Sequence, residues 1–320
     1  MLYGMKILSQ VISRGMAPLT LACALIAFYQ PAIFLVFKDY FLWLFAASMF
    51  ALGVVLKPDE LKTTLQTPRS ILLGVCTQYS VMPLLCAAAA WLANLPPELA
   101  LGVIIVGCAP GAMASNVIVY LAGGAVAFSI ALTTVATVLS PLFTPALVEW
   151  LGGAYLPVPF WSMMQTILLT VLTPLFIGMA CRKLLRKRAA PLIEFAPSVA
   201  SLAIIIICAY AVAANHERLN SISMNLFFVI IIVNALGYLF GWFLAKIFHF
   251  NNQYRLTMAI EIGMQNAGLG VALALKHFSP ETALPGALFA VWCVLTGAGA
   301  SAWLRYKHSS EEKLELLERT

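Results

Sequence analysis

The sequence contains few charged residues, and this shortage indicates which class of protein it encodes. Only 10% of the 320 residues are charged and 62% are hydrophobic, whereas soluble domains average about 25% charged and about 45–50% apolar residues. This composition excludes a soluble globular protein and predicts an all-α polytopic membrane protein. The formal net charge of +6 does not require a nucleic-acid partner, because the basic residues gather in the loops on one side of the predicted spans.

The sequence also lacks the residue combinations of a metal cluster or a nucleophilic enzyme. Its seven cysteines have no C-x-x-C spacing and fall within or at the ends of apolar stretches, and its four histidines lie near span ends or in tails. We therefore expect no catalytic residues and interpret the cysteines as packing residues. The loops are too short for the output domain expected of a receptor.

Ten stretches are apolar enough to cross a membrane, which requires about 20 residues per helix. They lie near 16–37, 41–56, 69–93, 98–122, 124–149, 160–181, 194–214, 222–246, 255–276 and 283–304. Little chain remains for a soluble domain, so we predict one transmembrane domain over 1–320 with a cytoplasmic tail at 305–320. The first span is too long for a cleaved signal.

Lys and Arg are distributed unevenly between alternate loops. If the N-terminus is inside, sixteen of the nineteen lie on the cytoplasmic side, and only Lys38, Arg218 and Lys276 lie outside. Cytoplasmic loops of membrane proteins carry the excess of Lys and Arg. We therefore expect both termini in the cytoplasm and an even number of spans.

The fourth and ninth predicted spans are interrupted near their middles. The fourth carries "GCAPGAMASN" (107–116), where Pro110 removes an amide donor, and the ninth carries "EIGMQNAGLG" (261–270), with three glycines. The two are five spans apart, which predicts two inverted five-helix repeats, about 16–149 and 160–304, with a substrate site near the midplane. Two kinked helices without a special role are the alternative.

Glu261 is the one acidic residue that lies well inside a predicted span; the other twelve lie in loops, at span ends or in the tail. An ionised carboxylate there costs about 2.5–3.5 kcal/mol on insertion scales, so an intramembrane acid indicates function. A protonated Glu261 that bonds a neighbouring helix is the structural alternative. No Lys or Arg lies within a span core, so we expect the compensating cation to come from solution.

Oxygen ligands for such a cation are available in other spans. Ser129 and Thr133 are four residues apart and hence on one helix face, Ser115 and Asn116 follow the fourth-span break, and Gln78 is a mid-span amide. Neutral oxygens with one carboxylate suit Na⁺, whereas a divalent ion would favour more than one acid. A proton carried by Glu261 stays open as the alternative.

The helix halves that begin after the two breaks predict an anion site. Near Ala112 and Ala267, helix N-termini would present unpaired N–H groups and positive dipole ends. We expect Met113 and Asn266 to lie where the carboxylate group of an organic substrate binds.

Four segments carry a resemblance to a known family: "MFALGVVLKPDE", "GVIIVGCAPGAMASNVIVYLAGG", "EIGMQNAGLGVALALKHF" and "ALPGALFAVW". Together they resemble the bile acid:sodium symporter family, particularly its bacterial members, over essentially the whole chain. The resemblance implies ten helices divided between a panel domain (spans one, two, six and seven) and a core domain (the other six), in which the fourth and ninth helices cross. It also implies a bacterial inner-membrane location.

The resemblance implies two sodium sites that share one carboxylate. The first would use Ser115, Asn116, Ser129, Thr133 and Glu261, and the second would use Gln78, Glu261, Gln265 and the backbone oxygens of Ile262 and Met264.

The substrate pocket of the family implies Ala112, Met113, Asn266 and Cys293 as contacts. Bacterial bile-acid transporters commonly have Gly-Thr where this chain has Ala112-Met113, and His-Asn where it has Cys293-Val294. These departures remove polar groups, and the substrate class stays open among bile acid-like, pantoate or ketopantoate and 2-oxo acid anions.

These observations predict a sodium-coupled symporter of an organic monoanion that works by alternating access with two Na⁺. A proton-coupled or uncoupled organic-anion carrier on the same fold is the alternative. The expected partners are the small organic anion and membrane lipid, with no nucleic acid and no obligate protein partner. An enzyme is disfavoured, because Glu261 has no Asp, His or Lys partner at membrane depth.

Overall fold

A computed structural model describes residues 16–56, 68–219 and 224–318 of the chain, and the regular elements in these ranges are all helices. The main helices are α1 (Met16–Tyr29), α2 (Phe41–Val55), α3 (Pro68–Leu92), α4 (Pro97–Gly107), α5 (Ser115–Ala122), α6 (Val126–Gly152), α7 (Phe160–Leu185), α8 (Ala190–Ala213), α9 (Met224–Ile247), α10 (Asn252–Gly263), α11 (Ala267–His277) and α12 (Pro280–Glu318). Short helical segments lie at Ala32–Leu35, Arg186–Ala189 and His216–Leu219, and α7 contains a π-helical turn at Leu168–Leu172. The prediction of an all-α fold is confirmed.

The apolar character of these helices identifies an integral membrane protein. Six of the described helices are long and apolar enough to cross a membrane: α3, α6, α7, α8, α9 and the Pro280–Trp303 part of α12. Shorter apolar helices lie in α1, α2 and α4. The predicted fourth and ninth spans are each divided in two, as α4 with α5 and α10 with α11, because the chain leaves the helix at the predicted breaks.

Two ends of the predicted spans differ from the structure. The first span is shorter than 16–37, because α1 ends at Tyr29 and Pro31, which has no amide hydrogen, precedes a separate short helix. At the other end, α12 continues without interruption to Glu318, so the predicted tail is the extension of the last span. The segments 1–15 and 57–67, whose Lys and Arg residues were used to predict the orientation, lie outside the described residues.

Helices α1, α2, α7 and α8 form one packed group, called here the panel group. Helix α2 lies against both α7 and α8, and α8 lies against α1. Glycines allow the backbones of α2 and α7 to touch: a Cβ at Gly53 would lie 2.1 Å from the Leu175 oxygen, and one at Gly178 would lie 2.3 Å from the Phe50 oxygen. Arg182 also donates from Nη1 to the Val54 oxygen (3.0 Å), which satisfies a carbonyl at the end of α2.

The other eight helices, α3 to α6 and α9 to α12, form the core group, and their contacts recur in pairs. Helix α3 packs against α4 as α9 packs against α10, and α5 packs against α6 as α11 packs against α12. Likewise, α12 contacts α4 and α6 contacts α10. This recurrence agrees with the predicted inverted repeat, which remains a prediction, as does the count of ten spans.

Replacing Gly53 or Gly178 by Ala is expected to lower the midpoint of thermal unfolding, because each new methyl group would meet a main-chain oxygen and overpacking costs about 1–3 kcal/mol. Gly299 in α12 is the matched control, since a Cβ there would have no neighbour within 4 Å. The measurement is thermal unfolding of the purified protein in detergent. Equal midpoints for Gly53→Ala, Gly178→Ala and Gly299→Ala would contradict the close contact of α2 and α7.

Candidate functional site at the paired helix breaks

The break between α4 and α5 lies against the break between α10 and α11, and each supplies hydrogen-bond acceptors for backbone amides of the other. The Ala112 amide donates to the Met264 oxygen (2.8 Å), and the Asn266 amide donates to the Pro110 oxygen (2.8 Å). These bonds form an isolated antiparallel bridge between Gly111 and Gln265. Non-helical backbone at membrane depth must find internal partners, and here each break supplies partners to the other.

Gly111 brings this bridge directly against the carboxylate of Glu261. A Cβ at Gly111 would lie 2.9 Å from Glu261 Oε2, too close for any residue with a side chain to be accommodated without moving the carboxylate. Glu261 lies in the last turn of α10 and is only 1% exposed. The bridge and the buried acid therefore form one site.

Three hydroxyl groups surround the Glu261 carboxylate. Oε1 accepts hydrogen bonds from Ser115 Oγ (2.5 Å) and from Ser129 Oγ, and Oε2 accepts one from Thr133 Oγ1 (2.7 Å). Asn116 Oδ1 lies 2.7 Å from Ser129 Oγ. The first predicted set of ligands is thus assembled from the start of α5, one face of α6 and the end of α10.

The hydroxyl protons are too few for the oxygen contacts that they make. Ser115 Oγ also lies 2.6 Å from the Ala112 oxygen, and Thr133 Oγ1 lies 2.9 Å from the Ser129 oxygen. With the contacts given above, three hydroxyl hydrogens serve six close oxygen–oxygen contacts. An ionised Glu261 leaves three of these contacts without a hydrogen. A cation among the oxygens would remove this repulsion, and neutral oxygens with one carboxylate fit a monovalent ion.

Glu261 has no cationic side chain beside it. Among the described residues, no Lys, Arg or His side chain forms an ion pair with Glu261, and the pair of His216 with Glu217 lies far along the chain from the site. Groups of three or more His, Cys, Asp or Glu side chains that could hold a metal ion are also absent from the described part of the chain. Within the described residues, the charge of an ionised Glu261 thus has no cationic side chain as a partner.

The second predicted set of ligands also lies together. Gln78 Nε2 donates to Gln265 Oε1 (2.7 Å) and to the Ala109 oxygen (3.1 Å), while Gln265 Nε2 donates to the Ile262 oxygen (2.7 Å). Both glutamines are 1% exposed. The oxygen of Met264 takes part in the bridge to Ala112, which leaves it one lone pair for another partner.

Asn266 caps the helix half that follows the second break. Its Oδ1 accepts from the Leu269 amide (3.1 Å), whereas its Nδ2 group has no hydrogen-bond partner among the described residues. The Ala112 amide joins the bridge and the Ala267 amide bonds the Gln265 oxygen (2.8 Å), whereas the amides of Met113, Ala114 and Gly268 have no hydrogen-bond partner among the described residues. The prediction of unpaired amides near Ala112 and Ala267 therefore stays a prediction, carried by the residues next to these two. The side-chain amide of Asn266 is therefore one of the donors that remain for an anion, beside these backbone amides.

The other predicted substrate contacts are less clearly grouped. Ala112 and Met113 are partly buried beside the bridge, and Met113 Sδ lies 4.0 Å from Asn116 Nδ2. Cys293 is buried in α12 with its thiol directed at the Ala290 oxygen of the same helix (3.6 Å). Within the described residues, no hydrogen bond joins Cys293 to Asn266.

Several residues that hold the breaks were missed in the sequence. Asn234 Nδ2 donates to the Gly263 oxygen at the end of α10 (2.9 Å), and Thr144 Oγ1 donates to the Cys108 oxygen in the first break (2.8 Å). Thr257 Oγ1 accepts from the Ala125 amide just before α6 (2.8 Å). Only Asn234 offered a signal, because it is a mid-span amide in an apolar helix, as Gln78 is.

Comparisons with known proteins show what the whole chain is similar to. A family model described as "Sodium Bile acid symporter family" matches residues 42–224. An uncharacterized sodium-dependent transporter, YocS, of Bacillus subtilis is 38% identical over 275 residues, which is 86% of each chain. A protein of Arabidopsis thaliana named a probable sodium/metabolite cotransporter, BASS1, chloroplastic, is 34% identical over 270 residues, 84% of this chain and 67% of its own. Its namesake in Oryza sativa is 35% identical over 283 residues, again 84% and 67%.

Proposed function

The chain belongs to the sodium bile acid symporter family, and on this premise we propose that it couples the inward movement of two Na⁺ to the uptake of one organic monoanion. Membership implies a sodium-dependent membrane transporter of a small solute, and the relatives are named as transporters rather than enzymes. The observation that carries the proposal is the buried Glu261 carboxylate, which is surrounded by hydroxyl oxygens and has no cationic side chain beside it.

The first sodium ion is proposed to bind Glu261 with the oxygens of Ser115, Asn116, Ser129 and Thr133. These side chains already converge on the carboxylate, and their three hydroxyl hydrogens do not suffice for their six contacts. Each hydroxyl can rotate its hydrogen toward a carbonyl and present a lone pair to an ion.

The second sodium ion is proposed to bind on the other side of Glu261. Gln265 is hydrogen-bonded both to Gln78 and to the Ile262 oxygen. The oxygens of Glu261 and Met264 lie within 4 Å of the position that a Cβ at Gly111 would take. One carboxylate would then compensate both ions. Two Na⁺ with one monoanion carry one net positive charge inward, and the membrane potential supplies about 2.3 kcal/mol per charge per 100 mV.

Asn266 is proposed to bind the carboxylate group of the substrate. Its Nδ2 group is a side-chain donor left without a partner at the start of α11, where the helix dipole also favours an anion. The substrate class is proposed to be a bile acid-like, pantoate or ketopantoate, or 2-oxo acid anion, with Ala112, Met113 and Cys293 near the pocket. The apolar character of these three side chains favours a substrate that presents an apolar part beside its carboxylate.

Alternating access is supported by one-sided packing between the two groups of helices. The panel helices α2 and α8 lie against α11, and two hydrogen bonds join the groups near its end: Thr166 Oγ1 lies 2.9 Å from His277 Nε2, and Asn215 Nδ2 donates to the Pro280 oxygen (2.6 Å). Among the described residues, α5 and α10 have no comparable packing against the panel group. Opening toward the α11 side would break both hydrogen bonds.

The proposed location is a bacterial inner membrane with both termini in the cytoplasm. In that orientation α11 lies toward the outside, and the described conformation is closed on the outer side. Large apolar side chains such as Leu72, Leu169 and Phe176 are 50–67% exposed on the helix surfaces, which suits contact with lipid. The small anion and the lipid are the partners that the proposal requires.

Proton coupling is the second candidate for the coupling ion, because a proton on Glu261 would supply one of the three missing hydrogens.

Sodium coupling and proton coupling are distinguished by uptake of labelled taurocholate, pantoate and pyruvate into proteoliposomes under an imposed Na⁺ or H⁺ gradient. We expect one of these anions to accumulate with the Na⁺ gradient alone, and faster with an inside-negative potential set by valinomycin and K⁺. Accumulation driven by H⁺ without Na⁺ would contradict sodium coupling, and indifference to the potential would contradict only the ratio of two ions to one anion.

Replacing Ser129 and Thr133 together by Ala is expected to raise the Na⁺ concentration for half-maximal transport by tenfold or more, since lost metal contacts cost about 10–100-fold in affinity. The matched control is the pair Thr134→Ala and Ser140→Ala in the same helix, whose buried hydroxyls bond only carbonyls of α6. The measurement is initial uptake against Na⁺ concentration. Equal sodium dependence of the two double variants would show that Ser129 and Thr133 are not ligands.

A further inference from the structure

Asn234 lies where α9 packs on the end of α10, and its side chain binds a carbonyl group that the helix itself leaves free. Its Nδ2 donates to the oxygen of Gly263, the last residue of α10 (2.9 Å), and the residue is 1% exposed. The last four carbonyls of a helix have no partner within it. A buried carbonyl here needs a donor from elsewhere, and Asn234 is that donor.

The orientation of the Asn234 amide is fixed by α12. Thr296 Oγ1 donates to Asn234 Oδ1 (2.9 Å), and the Tyr238 hydroxyl lies 3.2 Å from Thr296 Oγ1. Thr296 Oγ1 also lies 3.0 Å from the Trp292 oxygen and 3.2 Å from the Cys293 oxygen of its own helix. The contact with Asn234 is the shortest of the three, and when the Thr296 hydrogen points there, the Tyr238 hydroxyl can donate to Thr296. Hydrogen bonds then connect Tyr238 through Thr296 and Asn234 to the break.

The carbonyl that Asn234 holds lies between the two proposed as sodium ligands. The Ile262 oxygen accepts from Gln265 Nε2 (2.7 Å), and the Met264 oxygen accepts from the Ala112 amide (2.8 Å). Each of three successive carbonyls thus has one donor from a different part of the site. Because peptide groups are planar and rigid, fixing the middle carbonyl of Gly263 limits the directions of its two neighbours.

The backbone around Gly263 has little room to find another arrangement. A Cβ at Gly263 would lie 2.5 Å from the Tyr238 ring, and one at Gly237 would lie 3.1 Å from Gly263 Cα and 3.3 Å from the Ile262 oxygen. Helix α9 therefore touches the backbone of the break directly. Asn234 lies on this contacting face, one turn before Gly237 and Tyr238.

Asn234 resembles Gln78 in position but differs in what remains available for an ion. Gln78 Nε2 also donates to a carbonyl of a break, that of Ala109, but its Oε1 has no hydrogen-bond partner among the described residues. Asn234 uses its nitrogen for Gly263 and its oxygen for Thr296. Gln78 therefore has a side-chain oxygen without a partner to offer an ion, whereas both polar ends of Asn234 are already bonded and its contact with the site is through the backbone that it holds.

We propose that Asn234, oriented by Thr296, is a positioning residue that fixes the Gly263 carbonyl and thereby sets the Ile262 and Met264 oxygens for the second sodium ion. The assignment rests on the proposed function. It adds to the site two residues that would not touch the ion, and it makes α9 and α12 part of the sodium site.

The test is binding of ²²Na⁺ to the purified full-length protein, compared among four variants. Asn234→Leu keeps the side-chain size but removes both bonds, and Thr296→Val removes the hydroxyl that orients Asn234. Each is expected to weaken one of two sodium-binding steps by about tenfold, as loss of groups that orient ligands does at metal sites. Thr296→Ser keeps the hydroxyl and is expected to bind like the wild type. Ser301→Ala is the control, since this buried hydroxyl of α12 bonds only the Ala298 oxygen.

The outcomes separate this inference from the proposed function. Wild-type protein that binds no sodium would overturn the proposed function and this assignment with it. If the wild type binds sodium and both Asn234→Leu and Thr296→Val bind it with the same affinity, the assignment alone would be overturned. If Thr296→Ser or Ser301→Ala weakened sodium binding as much as Thr296→Val does, the effect would come from altered packing of α12. That result would also overturn the assignment. If Asn234→Leu does not fold, the sodium affinities of Thr296→Val and Thr296→Ser still test the assignment, because only the first variant lacks the hydroxyl that orients Asn234.

Discussion

The structure depends on one interaction, the contact of the buried Glu261 carboxylate with hydroxyl groups from two other helices. A negative charge in a membrane interior is costly unless it is compensated, and here Ser115 and Thr133 supply hydrogen bonds while no cationic side chain does. The carboxylate reaches these partners because Gly111 lets the first break pass directly beside it. The same charge makes the site suitable for a cation that arrives and leaves, which a fixed Lys or Arg would prevent.

The helix breaks are stable because their backbone groups are satisfied in two layers. The inner layer is the bridge, in which the Ala112 and Asn266 amides donate across the breaks. The outer layer consists of mid-span amides, Gln78 on α3 and Asn234 on α9, each of which donates to a carbonyl of the break beside its own helix. This arrangement lets carbonyl oxygens remain directed into the site without being exposed to lipid.

Much of the fold could be predicted because apolar length, proline and glycine act locally. The six long membrane-spanning helices follow from apolar length and the two breaks from proline and glycine, while the shared face of Ser129 and Thr133 follows from helix periodicity. The contact of Asn234 with Gly263 could not be predicted, since it depends on how α9 crosses α10 and no periodicity encodes that. The pairing of the Ala112 and Ala267 amides could not be predicted for the same reason, since their acceptors lie in the opposite break and in the turn before the helix. The closeness of Gly111 to Glu261 likewise requires the fold.

The central claim is that the Glu261 charge holds sodium, and it is tested most directly by ²²Na⁺ binding to purified wild-type protein, Glu261→Gln and Glu149→Gln. A glutamine side chain in place of Glu261 would keep the shape and the hydrogen-bonding capacity but not the charge, while the exposed Glu149 at the end of α6 is the matched control. We expect the wild type and Glu149→Gln to bind two Na⁺ and Glu261→Gln to fold but bind neither. Sodium binding by Glu261→Gln with wild-type affinity would contradict the account.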